Sequence, residues 1–152
     1  MMFKGVIAVK AEIGKLSIAE LRLQNPNKVI LIDGLTVRSD ADQMVFKVYD
    51  GSQLIDPSVG VVQATEDTNF GRVSSVKIRG GNLIELPGSQ LSSLFGDTQE
   101  DTNNHWIRYD CHCDRNIFPL KLVHGQSFAM HTATWNKNIF CCMVDWREFN
   151  LK

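Results

Sequence analysis

The side chains in this sequence best suited to chemistry are its 4 cysteines and 4 histidines. Cys111, His112 and Cys113 are contiguous, His105, His124 and His131 lie on either side of them, and Cys141 and Cys142 are adjacent. Thiolate and imidazole are the ligand types that zinc selects, four around a tetrahedral ion in structural sites. Paired structural ligands are usually about two to four residues apart, however, and an extended strand would send Cys111 and Cys113 to one face and His112 to the other. A Cys-x-Cys unit chelates if it lies on a turn. A metal at Cys111, His112 and Cys113 is therefore the lesser alternative to a plainer reading, in which the cysteines are core side chains of strands and Cys113 neighbours Cys142 across a strand pair. A cysteine nucleophile with a histidine base needs a convergence that spacing does not encode, and the sequence contains neither a redox Cys-x-x-Cys nor a thiol-protease signature.

Carboxylates fall mostly at expected turns: Asp33, Asp50, Asp56, Asp97, Asp101 and Asp110. A hydrolytic pair requires two carboxyls at a fixed separation in a cleft, which turn positions do not supply. The acidic stretch 97–114 lacks the alternating oxygen ligands of a calcium loop, and the glycines Gly80 and Gly81 have no phosphate-loop pattern around them. The residues thus indicate no enzyme and no cofactor. Four aromatic side chains, Trp106, Tyr109, Trp135 and Trp146, are the candidates for an interface, or for a sugar-binding face, because rings bury large area at low entropic cost. Trp146 is also placed to seal a core, with Arg147 and Glu148 at its rim.

The elements that must position these residues are strands. Lys28–Ile32 is β-branched and bounded by turn residues, and Met44–Tyr49 alternates, with Met44, Phe46 and Val48 on one side. Short alternating runs recur around residues 59–64, 73–78, 83–86, 105–113, 120–123, 127–135 and 139–146. Gly80-Gly81-Asn82 is expected to be a turn, and Asn136-Lys137-Asn138 a hairpin turn joining its two flanking strands. Asp33-Gly34 marks either a bulge in one bent strand or a hairpin. Leu16–Leu23 is ambiguous: Ser17 and Glu20 have the spacing of a helix capping box, yet the leucines also suit a strand with one bulge. Residues 96–104 carry no apolar side chain and are expected to form a flexible loop. The pattern predicts an all-β, antiparallel β-sandwich, jelly-roll-like, as one domain over 1–152, with 1–14 an arm or edge strand contacting a neighbour.

Composition agrees with a self-sufficient core. At 152 residues with 43% hydrophobic and 22% charged side chains, a domain buries roughly two thirds of its unfolded surface and needs no metal or disulfide to fold. The 16 basic residues balance 17 acidic ones, so a nucleic-acid surface is not indicated, and low net charge permits contact between copies. The opening residues are no signal peptide and no apolar run reaches membrane-spanning length, which favours reduced cysteines.

Two stretches carry a resemblance. Gly14-Lys-Leu-Ser-Ile-Ala-Glu-Leu-Arg-Leu-Gln-Asn-Pro26 leading into Val29–Ile32, and Gly125-Gln-Ser-Phe128 running through Asn136 to Val144-Asp-Trp-Arg-Glu148, resemble the opening and closing segments of small β-sandwich structural proteins of tailed bacteriophages. That resemblance implies a virion component made in the host cytoplasm: a head-decoration, head-fibre or tail-associated protein that forms a homo-oligomer, a trimer in the leading reading, on a major capsid or tail lattice. The middle of the chain departs from the pattern. The alternative is a carbohydrate- or receptor-binding module of the same fold.

Overall fold

Alternation along the chain becomes, in the folded protein, the inner and outer faces of two packed sheets. The computed structural model describes residues 2–10, 16–39, 44–50, 61–62, 64–67, 75–83, 92–93, 106–112, 118–132 and 139–151. Its strands are β1 (Met2–Lys10), β2 (Leu16–Leu23), β3 (Lys28–Ser39), β4 (Met44–Asp50), β5 (Val61–Val62), β6 (Ala64–Asp67), β7 (Val76–Leu83), β8 (Ser92–Ser93), β9 (Trp106–Asp110), β10 (Leu120–Val123), β11 (Gln126–Thr132) and β12 (Ile139–Asn150). There is no helix among the described residues, and so none long and apolar enough to cross a membrane.

One sheet, the β1 sheet, has the order β10-β3-β12-β1-β6, with β9 also paired to β3; the other, the β2 sheet, has the order β5-β7-β2-β11-β4-β8. Every pairing is antiparallel. β1 to β4 alternate between the sheets, and so do β10 to β12, so that β1-β12-β3-β10 faces β2-β11-β4-β8. That interleaving is the jelly roll expected from the sequence. The segment β5 to β7 is an insertion that widens both sheets, β6 extending one beyond β1 and β7 the other beyond β2.

The core lies between the sheets. From the β1 sheet it takes Phe3, Ile30, Ile32, Leu35, Val37, Val144 and Trp146; from the β2 sheet, Leu21, Leu23, Val48, Ile78, Phe128 and Met130. β3 keeps a line of buried apolar residues inward along its length only because it is bulged. Asp145 pairs with Gly34 but Trp146 pairs with Ile32, leaving Asp33 as the extra residue. The inward set therefore switches from even numbers, Ile30 and Ile32, to odd, Leu35 and Val37, while β12 continues unbroken. Asp33-Gly34 is thus a bulge in one bent strand.

Several expectations are corrected by the pairing. Leu16–Leu23 is an unbulged strand held between β7 and β11; Ile18 faces away from Leu21 and Leu23, and Glu20 is a strand residue that caps no helix. Ladder bonds on both sides outweigh a local capping pattern. Gly80 and Gly81 are interior to β7, opposite Ala19 and Ile18. β11 and β12 do not form the expected hairpin, since β11 pairs with β2 and β4 and β12 with β1 and β3; residues 136–138 themselves lie outside the described residues. Within the chain, β1 pairs with β12 over its whole length and with β6 over Phe3–Val6, and puts Phe3 into the core; residues 11–14 lie outside the described residues. The expected loop at 96–104 lies outside the described residues.

Candidate functional site

The two sheets differ in what they present outward. On β2 and β11 the side chains pointing away from the core are themselves buried: Ile18, Glu20, Ser127, Ala129 and His131. Arg22 donates to Ser127 Oγ at 3.0 Å here, and Arg79 lies opposite Glu20 in the register. The outer face of the β1 sheet, by contrast, is open, and its side chains fall into rows set by the ladder.

At one end of that face stand Val123, Val29 and Phe149, one beside the next across β10, β3 and β12. The adjoining row is Lys121, Leu31, Arg147 and Met2. Further along come Asp110, Gly34, Asp145 and Lys4, then Arg108, Thr36, Met143 and Val6, and finally Trp106, Arg38 and Cys141. A charged band therefore crosses the middle of the face between two more apolar ends.

Ion pairs fix the band. Arg108 on β9 reaches over β3 to Asp145 on β12, Nη1 donating to Oδ1 at 2.6 Å and Nη2 to Oδ2 at 3.1 Å, while its Nε donates to Asp110 Oδ2 at 3.2 Å. It can do so because Gly34 leaves the space free: a Cβ there would stand 2.6 Å from Arg108 Nη2 and 2.8 Å from the Tyr109 carbonyl oxygen. Arg147 makes a second fork, on the bulge residue Asp33, with Nε at 2.9 Å from Oδ2 and Nη2 at 2.7 Å from Oδ1, and its guanidinium lies 5.8 Å from the Phe149 ring centre. Asp145 holds the Arg108 guanidinium above its ordinary pKa, as Asp33 does Arg147. Pairs this exposed add little to stability; what they supply is a fixed arrangement of charge.

β9 ends at Asp110, and Cys111 and His112 form a turn. The His112 N–H donates to Asp110 Oδ1 at 2.9 Å, and that bond, followed by the Arg108 guanidinium, holds the Asp110 carboxyl below the usual carboxylate range. Cys111 and His112 are exposed, and one ligand atom from each of Asp110, Cys111 and His112 lies within 4.8 Å of the other two. The strand expected over 105–113 would have separated Cys111 from His112; the turn brings them to one place. Cys113 lies outside the described residues.

Of the four rings singled out by sequence, Trp106 is at the surface, 47% exposed, Tyr109 and Trp146 are core residues, and Trp135 lies outside the described residues. Tyr109 and Trp146 occupy inward positions of their strands, which removes them as surface anchors in this fold. The residues that sequence reading did not assemble are Arg108, Asp145, Asp33 and Arg147. Alternation does place Asp145 and Arg147 opposite Trp146, but their partners are set by register across three strands.

Burial pushes the thiol of Cys142 far up and that of Cys141 up by less. Cys142 is seated between Ile7 and Val37 in the register. Under native, reducing conditions Cys111 should accept an alkylating reagent readily and Cys142 only after global unfolding, by at least a hundredfold in rate, read by peptide mass mapping.

No protein-family model matches the chain, and no curated protein matches it.

Proposed function

We propose that the protein is a non-enzymatic structural subunit of a virus particle, which associates with copies of itself through the outer face of the β1 sheet. The observation that carries this reading is the asymmetry of the two outer faces. β2 and β11 are buried on both sides, whereas the β1 sheet exposes Met2, Val6, Trp106 and Phe149 by 42–48% around a band of ordered ion pairs. Methionine, tryptophan and arginine are the side chains that interfaces favour. The face has apolar ends flanking a band of both charge signs, so a copy rotated by a two-fold axis through the band lays acid against base and apolar end against apolar end. The virion assignment rests on the resemblance at the two ends of the sequence, and the jelly roll is an architecture that capsid and lectin domains both use.

Light scattering over a range of concentrations tests it. The unaltered chain should form a discrete oligomer, and the Trp106→Ala, Phe149→Asp double variant should be monomeric at the same concentrations with its circular dichroism unchanged, since truncating interface anchors costs about 2 kcal/mol or more each. A monomer at every concentration would sink self-association. Glycan binding by that monomer, lost in Trp106→Ala, would favour the sugar-binding module instead.

A further inference from the structure

We propose that the turn closing β9 binds a divalent cation of the zinc class, with Asp110, Cys111 and His112 as its three ligands among the described residues. This goes beyond the assembly reading and does not depend on it.

Three observations converge. The first is ligand type: a carboxylate, a thiol and an imidazole side by side suit a borderline ion such as Zn2+ and are a poor set for Mg2+ or Ca2+, which take oxygen. The second is distance. Around a tetrahedral ion with bonds of 2.0–2.3 Å, donor atoms stand about 3.3 to 3.8 Å apart, and the three donors here already lie within 4.8 Å of one another. Closing that gap of about 1 Å takes only side-chain rotation at Cys111 and His112, which are exposed.

The third is orientation of the carboxylate. Asp110 belongs to the strand and is held from two sides, by the His112 N–H on Oδ1 and by Arg108 Nε on Oδ2. Arg108 is in turn forked onto Asp145 of the central strand β12 and lies 3.4 Å from Thr36 Oγ1. Partners behind a ligand fix its direction in metal sites generally, and here they connect the turn to the rigid sheet. The thiol ligates as thiolate, so binding releases its proton.

The test uses the full chain, stripped with chelator, exchanged into a phosphine reductant and titrated with Zn2+ and separately with Co2+. Uptake of one equivalent per chain at micromolar metal is expected, with a thiolate-to-cobalt charge-transfer band and the intense visible absorption of a tetrahedral ion. Cys111→Ser should abolish the charge-transfer band, and Cys111→Ser, His112→Ala and Asp110→Asn should each weaken Zn2+ at least tenfold. Melting of the metal-free variants shows whether they fold; a folded variant with unweakened binding counts against its residue. Absence of stoichiometric uptake overturns the site, as does uptake indifferent to Cys111→Ser and His112→Ala. Loss of binding in Cys113→Ser together with no effect of Asp110→Asn overturns the ligand set, by replacing the carboxylate with a second thiolate.

Discussion

Trp146→Ala is expected to lower the free energy of unfolding by about 3 to 5 kcal/mol, the range for removing a buried tryptophan or phenylalanine ring. Trp146 is fully buried, and its indole stacks on Phe3 with ring centres 6.0 Å apart and planes inclined by 17°. Those two residues are partners in the β1–β12 ladder, so the ring fastens the first strand of the chain to the last. Its Nε1 donates to Glu148 Oε1 at 3.4 Å, an oxygen that also accepts from the Ser75 N–H at 2.9 Å, while Lys28 pairs with the other Glu148 oxygen at 3.5 Å. Truncation thus opens a cavity and takes one donor from a buried carboxylate. Against a total stability of about 5–15 kcal/mol for a domain, this is a large fraction, and thermal melting should fall by roughly 10 °C. An interface role, which the sequence left open for this residue, makes the opposite forecast: an altered oligomer with an almost unchanged monomer melting point.

Gly5→Val should destabilise by about 3 kcal/mol, although valine is much the better strand former. Gly5 sits on β1 between Phe3 and the end of the strand, facing inward. A Cβ at this position would collide with Ile78 Cδ1, from β7 of the opposite sheet, and stand 3.1 Å from the Trp146 ring. Ile78 is wholly buried and the indole is rigid, so neither has room to yield. Gly5 therefore sets how closely the inserted strand β7 can approach the β1 sheet. Urea unfolding distinguishes the two effects: strand propensity alone would raise the midpoint, overpacking lowers it at constant slope.

Both substitutions lie on the inner side of the sheet whose outer face is proposed for assembly, and that separation is useful. Core variants should lose stability and assembly together, whereas Trp106→Ala with Phe149→Asp should lose assembly alone. Loss of metal in Cys111→Ser with oligomer mass unchanged would show that the turn and the face act independently.

Alternation of side chains was enough to mark Lys28–Ile32, Met44–Tyr49, Leu120–Val123 and Ile139–Trp146 as strands, and the scarcity of helical periodicity was enough to make the protein all-β. Period two states which residues share a face. It does not say which face meets the core, nor which strand lies alongside, because both depend on segments distant in the chain. Hence the rings of Trp106 and Trp146 look alike in sequence, while the ladder turns one outward and the other into the core. Gly80-Gly81 reads as a turn, and β11 with β12 as a hairpin, for the same reason: local chemistry permits either, and only the pairing of β7 with β2, or the assignment of β11 and β12 to different sheets, decides otherwise. The candidate site shows the limit most plainly. Cys111 and His112 are visible as ligand types in the sequence, but Asp110 joins them through a turn that ends β9, and Arg108 reaches Asp145, 37 residues away, only because a bulged β3 places a glycine beneath it.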